Sequence, residues 1–402
     1  MSEAFALDII DTHVHLRDPA SYPENDRWYK EFWAESALMD LANSGVLMAN
    51  AMPNTNTPLT TYAAFKTYAT TLKDEPGYGG TYFCYNGKNY NELLQCFGDT
   101  ETRKHMVWVK IYPASQSWQN ATTSFSAAQD MRDFSLEDNS ELDQLANFCS
   151  HKNLSITIHC EDPDEKEKLG KKYGTIDDET EPHFVENIAI PLCEKYPQLK
   201  FIVAHVSHRR TTEILTEAWD AGMNNLYAEI TPHHLLLSTQ EIQEKLGDDA
   251  VFGFCHPFIK ISGTHRYALA QMLRDGKYQE QILYGSDHAP HPEWKKRAGG
   301  GGVPNHQGWQ IVAAWFRSQG IKLDDPRVTH YFNKNAQRVF APVPEYVKRF
   351  KQRAGSILFA PADFEPDGMS IPRHIHNYAV VNPWERLLPD AVKEHWLKIV
   401  HN

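Results

Sequence analysis

The sequence predicts an α/β fold: a closed (β/α)8 TIM barrel with C-terminal helices and an irregular C-terminal tail. Three observations carry that expectation. Eight short apolar, β-branched runs recur along the chain. Amphipathic stretches of helical period separate them, and strand–helix alternation of this kind implies parallel β/α units. Several of the runs end directly in His or Asp, and such a barrel keeps its catalytic groups at the C-terminal ends of its strands. No G-x-G-x-x-G follows any candidate strand, which counts against a doubly wound open sheet.

The strand candidates are Ala6–His15, Gly45–Met52, Thr81–Tyr85, Met106–Tyr112, Leu154–Cys160, Leu199–Val206, Asn225–Thr231 and Gln281–Ser286. Between them lie the helical candidates Glu31–Asn43, Thr61–Leu72, the shorter Asn91–Phe97, Ser140–His151, Glu186–Lys195, Thr211–Ala221 and His265–Asp275. A four-glycine loop, Gly299–Gly302, follows the eighth strand, and two further helices are expected at Gln307–Arg317 and Pro326–Val339. From about Ala354 the chain is Pro-rich and aromatic with weak periodicity. Residues 1–345 therefore read as a barrel domain and 346–402 as an extension packed on it. The long polar stretch Ala114–Asp138 reads as a functional or mobile insertion.

Composition bounds the function. The chain has 402 residues, 41% of them hydrophobic and 12% aromatic, enough to bury a large core. With 40 Lys+Arg against 52 Asp+Glu, its formal charge of −12 argues against nucleic acid or an anionic membrane as the main partner. The N-terminus shows no basic, apolar leader, and no apolar run approaches the roughly 20 residues of a membrane helix. The six cysteines are scattered without a C-x-x-C pair, as expected of reduced thiols in a cytoplasmic protein. A disulfide framework is the rival reading of an even count, but a chain of this length needs no staples.

Twenty histidines are the unusual number, and some of them converge in the predicted fold. His13 and His15, in Asp11-Thr12-His13-Val14-His15-Leu16-Arg17-Asp18, are two apart on a strand, so their imidazoles share a side. Alone, the pair could be two polar residues bonded to backbone carbonyls. However, strand five runs into His159, strand six into His205 and strand eight into Asp287. Four strands ending this way point to a metal site of four imidazoles and a carboxylate. Lys110, in Val107-Trp108-Val109-Lys110-Ile111-Tyr112-Pro113, either snorkels to solvent or faces the interior with a lowered pKa. An interior amine of that kind could add CO2 and bridge two cations as a carbamate.

With these residues assembled, the chain resembles the amidohydrolase superfamily and, within it, the dihydroorotase family. The superfamily pattern is H-x-H on strand one, Lys on four, His on five and six, and Asp on eight. More specific are His15-Leu16-Arg17-Asp18, Met52-Pro53-Asn54-Thr55, Lys110-Ile111-Tyr112-Pro113, Thr231-Pro232-His233-His234-Leu235 and Ser286-Asp287-His288-Ala289-Pro290-His291, which together span about residues 8–310. The resemblance implies two Zn2+ ions per subunit. His13, His15 and Asp287 would hold one, His159 and His205 the other, and N6-carboxylated Lys110 would bridge them. It also implies substrate-carboxylate contacts from Arg17, Asn54 and His291. Backbone groups near Leu235 and in Gly299–Gly302 would hold a ring amide. A homodimer is expected. The chain begins directly at strand one, like the short class of the family, while His159-Cys160-Glu161-Asp162 and the 231–235 segment look like the longer class. Thr122-Thr123 resembles the short class's mobile-loop threonines.

The implied reaction is reversible closure of N-carbamoyl-L-aspartate to L-dihydroorotate, a step of de novo pyrimidine (UMP) biosynthesis. Hydrolysis of the ring amide needs an activated water and a shuttle for its proton, and Asp287 is the candidate shuttle. Two Zn2+, Asp287, a lysine carbamate and a hydroxide sum to about +1, so an anionic substrate suits the site despite the acidic chain. Arg17 can fork onto a carboxylate, or pair with Asp18 at the surface. Two other functions compete: another cyclic amidase of the allantoinase or hydantoinase type, and a non-catalytic barrel serving as partner of a pyrimidine enzyme. His233 and His234 are expected to stabilise the strand-seven loop, with His234 a possible support for a metal ligand. His288 would orient Asp287 or cap a turn, and Cys160 is expected to be a small buried residue. Glu161 and Asp162 would support ligand histidines or cap a segment. His208, His256, His265 and His306 have no assigned role.

Overall fold

A computed structural model describes residues 7–16, 46–53, 59–75, 77–111, 140–160, 180–246, 262–288, 308–340, 346, 348 and 387–400. All eight predicted strands are present: β1 Ile9–Leu16, β2 Val46–Pro53, β3 Tyr78–Tyr85, β4 Met106–Ile111, β5 Ser155–Ile158, β6 Lys200–Val203, β7 Leu226–Ile230 and β8 Ile282–Tyr284. They pair in sequence order, every pair parallel. Two backbone bonds bring the last strand back to the first. His15 N–H donates to His288 O at 2.7 Å, and Asp287 N–H donates to His13 O at 2.8 Å. A parallel bridge pairs Val14 with His288 at the same seam. The result is a nearly closed (β/α)8 barrel.

The strands are buried on both faces, which is why they read as continuous apolar runs and not as alternating ones. Inside the barrel, Ile10, Met48, Met52, Tyr82, Cys84, Trp108, Ile202, Tyr227 and Leu283 form one apolar plug. Phe340 stacks on Trp108 within it, with ring centroids 4.4 Å apart, and Tyr346 packs on Phe340. Outward-facing side chains build the second core against the surrounding helices. Burying each large side chain of these cores contributes roughly 1.5–3 kcal/mol of transfer free energy.

The helices mostly follow the amphipathic reading: Tyr62–Leu72, Tyr90–Gly98, Ser140–Lys152, Arg209–Asp220, Gly263–Asp275 and Gly308–Ser318. Thr61 and Ser262 cap two of them, their hydroxyls accepting from Ala64 N–H and Thr264 N–H. The candidate at 186–195 begins earlier, at Thr180, and passes through a π turn at Val185–Ala189. A second π turn, His330–Lys334, interrupts the helix after Pro326. Two helices were not expected between strands seven and eight, Pro232–Leu236 and Thr239–Leu246. Both are short, and Pro232 and the polar composition of the second mask their period.

Within the expected irregular tail one segment is helical. Asp390–Val400 is a helix, and it packs on Gly308–Ser318. Val392 and Trp396, four residues apart on one face, are buried in the outer core. The expected helix Glu31–Asn43, the 114–138 insertion and the Gly299–Gly302 loop lie outside the described residues. None of the five described cysteines, Cys84, Cys96, Cys149, Cys160 and Cys193, is in a disulfide, and all are buried. No helix among the described residues is long and apolar enough to cross a membrane.

Candidate metal centre and active site

The site lies at the C-terminal mouth, where β8 meets β1. The register between β1 and β2 shifts between Asp11 and Val14, so the end of β1 departs from regular pairing where the H-x-H motif begins. His13 Nε2 and His15 Nε2 lie 3.1 Å apart. Asp287 Oδ1 completes the triangle, 3.2 Å from His13 Nε2 and 3.0 Å from His15 Nε2. Across the mouth, His159 Nδ1 lies 2.7 Å from His205 Nε2. The His13 and His205 rings stand 5.9 Å apart, so the two groups adjoin.

Asp287 follows β8 and His205 follows β6, each in the left-handed backbone region, with φ of 49° and 39°. Such a conformation costs a non-glycine residue about 1–3 kcal/mol and must be held by its surroundings. Donation from Asp287 N–H to His13 O holds the first. The second is held in part by His205 N–H donating to Glu229 Oε1 at 3.3 Å.

Electrostatics follow from burial and from this convergence. Burial works against ionisation of Asp287, but His13, a hydrogen bond from His15, and His205 overcome it and hold the carboxyl well below its ordinary range. Burial also opposes protonation of His13, yet the neighbouring Glu229 and Asp287 carboxylates raise its pKa above the usual imidazole value. For His15, burial wins over Asp287 and the pKa falls. Lys110 is wholly inside the barrel, so the snorkelling reading is excluded. Burial drives its amine pKa down, against the pull of Glu229 and Asp287.

Two buried carboxylates belong to this site and were missed by the sequence reading. Glu229, in β7, accepts from His13 Nδ1 at 2.7 Å and is fully buried. Asp11 Oδ1 accepts from His13 N–H at 3.1 Å and from Ser286 N–H at 2.9 Å, tying β1 to β8. Burial pushes the Asp11 carboxyl up to about 7, although bonds from Ser286 and His13 oppose it. A signal for Glu229 existed: like Lys110, it is a lone charge inside an otherwise apolar strand. Counted with two Zn2+, Asp287, a lysine carbamate and a hydroxide, a Glu229 carboxylate would bring the expected sum of about +1 close to neutral before any arginine is counted.

The remaining candidates divide into those the structure places and those outside it. Leu235 is buried in Pro232–Leu236, and its N–H already donates to Thr231 O at 3.1 Å. His233 and His234 both bond the Thr231 hydroxyl, at 3.1 and 2.8 Å. His233 also comes within 3.9 Å of Asp287 Oδ2, closer to the centre than a loop-stabilising role requires. His208 and His265 gain roles at a helix start: their Nδ1 atoms accept from Arg210 N–H and Arg209 N–H. Cys160 is a small buried residue. Arg17, Asn54 and His291 lie outside the described residues, as do Glu161, Asp162, His256 and His306.

The donor set fits a metal. A carboxylate only accepts hydrogen bonds, so when His13 is neutral Glu229 would hold its proton on Nδ1 and leave Nε2, on the side of His15 and Asp287, for an ion. Two imidazoles and a carboxylate form one compact group, its ligand atoms all within 4.8 Å of one another. Imidazole and carboxylate ligands of this kind suit zinc and similar ions.

The sequence profile described as Amidohydrolase family matches residues 9–319. The chain is similar to a dihydroorotase of Coxiella burnetii, 26% identical over 310 residues, covering 73% of this chain and 74% of that protein. Among solved structures it is similar to a dihydroorotase of Saccharomyces cerevisiae in complex with 5-fluoroorotic acid. That match has a TM-score of 0.60 at 21% identity and covers 84% of each chain. An L-hydantoinase (dihydropyrimidinase) of Arthrobacter aurescens matches with a TM-score of 0.59 at 17% identity, covering 83% of this chain and 71% of that one.

Proposed function

The chain belongs to the amidohydrolase family, and we propose that within it the protein acts as a dihydroorotase, interconverting N-carbamoyl-L-aspartate and L-dihydroorotate with two Zn2+ ions. The observation that carries the reading is the convergence of His13 Nε2, His15 Nε2 and Asp287 Oδ1 within 3.0–3.2 Å. His13, His15 and Asp287 would hold one ion, and His159 and His205 the other. Lys110, its amine pKa lowered by burial, would join them as a carbamate. When bound, the ions would make a water acidic enough to attack near neutral pH and polarise the ring carbonyl.

The protein's own groups supply the rest. Asp287 is ionised throughout the neutral range, so it can take the proton of the attacking water. Its Oδ1 is turned to the two imidazoles, which leaves Oδ2, on the His233 side, as the atom that carries the proton to the departing ring nitrogen. In the closing direction Oδ2 accepts the ureido proton. With Glu229 the metal-loaded site would be near neutral, and recognition of the substrate carboxylate would fall to Arg17, supported by Asn54 and His291. We place the reaction in the cytoplasm, in keeping with thiols outside any disulfide, and, from the family resemblance, in a homodimer.

The similarity to a hydantoinase keeps a neighbouring cyclic amidase activity as the second reading. Assay of the purified protein on L-dihydroorotate, hydantoin and allantoin separates the two. Turnover of dihydroorotate in clear preference to the others is expected. Turnover of hydantoin or allantoin without dihydroorotate would sink the proposal.

A further inference from the structure

We infer that Glu229 is the positioning residue that couples the two halves of the metal centre, and that Gly285 is glycine in order to leave room for it. The inference rests on the metal-site reading above and adds a residue outside its ligand set.

Glu229 is the penultimate residue of β7, fully buried, with each oxygen directed at a different neighbour. Oε1 takes His13 Nδ1 at 2.7 Å and His205 N–H at 3.3 Å. His13 belongs to one half of the site and His205 to the other. One oxygen thus sets the ring of the first and the left-handed backbone of the second. Oε2 lies 3.3 Å from Thr12 Oγ1, whose own proton is better placed on Tyr284 O at 2.6 Å. The carboxylate therefore touches β1 and the end of β6 from β7.

Gly285, directly after β8, completes the arrangement. A Cβ there would stand 2.6 Å from Glu229 Cδ and 2.8 Å from His13 Cβ. Contacts that short force a neighbour to shift, and the groups in the way are the two that must meet. The glycine is required by close approach, not by backbone conformation. A carboxylate behind a ligand imidazole fixes its tautomer, orients its ring and raises its basicity. Losing such a partner typically costs about 10- to 100-fold in metal affinity.

The test is metal affinity, read by chelator competition with Zn2+ and by the visible spectrum of the Co2+-loaded protein. Three variants of the full chain are compared with wild type. Glu229→Gln keeps both acceptor contacts through its amide oxygen and loses only the charge. Glu229→Leu loses the contacts, and Gly285→Ala separates Glu229 from His13 while keeping both. We expect one ion to weaken by roughly 10- to 100-fold in Glu229→Leu and Gly285→Ala, and by less in Glu229→Gln, with a shifted Co2+ spectrum. Because Glu229→Gln is isosteric, its metal-free thermal midpoint should match wild type, which separates positioning from folding. If Glu229→Gln, folded as wild type, and either other variant bind both ions with wild-type affinity and spectrum, the inference is overturned. If wild type itself binds no metal, the metal-site reading fails and takes the inference with it.

Discussion

His15 Nε2 and Asp287 Oδ1 stand 3.0 Å apart at the seam where β8 returns to β1, although they come from opposite ends of the barrel sequence. The same seam carries the backbone bonds that close the barrel, His15 N–H to His288 O and Asp287 N–H to His13 O. Closure of the fold and assembly of the site therefore share one seam. A change that opens this seam should damage both.

Asp287→Asn tests the proton shuttle. The amide keeps the size of the side chain but removes the basic oxygen. We expect kcat to fall by roughly 100- to 10,000-fold with a much smaller change in KM. A change confined to KM, in steady-state assays of dihydroorotate hydrolysis, would contradict the role.

Lys110→Ala tests the bridge. Lys110 is buried against the site, and removing its side chain opens space there for a small acid. Activity should drop by roughly 100-fold or more, as loss of a group joining the ions requires. Short carboxylic acids added to the assay should restore part of it. Wild-type rates in the variant without added acid would refute the bridge.

Lys200 tests the electrostatics of the opposite, N-terminal end of the barrel. It is half-buried with its Nζ donating to Arg338 O at 3.1 Å. Burial, aided by Arg338, pushes its amine from 10.5 down to about 8. Between pH 8 and 10.5 the unfolded chain binds the proton more tightly than the folded one, so this group's contribution to stability rises with pH. Below pH 8 the charged amine weakens the fold. Lys200→Met should therefore be more stable than wild type at pH 7, with the gap narrowing as pH rises toward 10. Denaturant midpoints across that range check it, and a gap independent of pH would count against it.

Trp396→Ala tests whether the C-terminal helix is part of the core. Trp396 is buried with Val392 against Gly308–Ser318. Truncation of a buried tryptophan costs about 3–5 kcal/mol. A loss within 0.5 kcal/mol, about the scale of a surface change, would show that the helix is not docked.

The barrel was legible because its strands are buried on both faces and so stand out as apolar runs between amphipathic ones. His13, His15, His159, His205 and Asp287 were legible because each breaks such a run at its C-terminal end. Glu229 was not read, although it breaks β7 in the same way that Lys110 breaks β4, one residue before the strand ends. The left-handed backbone of His205 and Asp287 left no mark in residue type, since neither position is glycine. The helix Asp390–Val400, with Val392 and Trp396 buried four residues apart, was not read because it lies within a tail otherwise rich in proline and aromatics.

The most direct measurement of the central claim is L-dihydroorotate hydrolysis by one preparation, assayed as purified, after chelation, and after Zn2+ is returned. The site geometry predicts turnover in the first state, loss in the second, and recovery in the third as zinc content approaches two per chain. Folded, zinc-loaded protein that leaves dihydroorotate untouched, or turnover indifferent to chelation in protein shown to be metal-free, would contradict it.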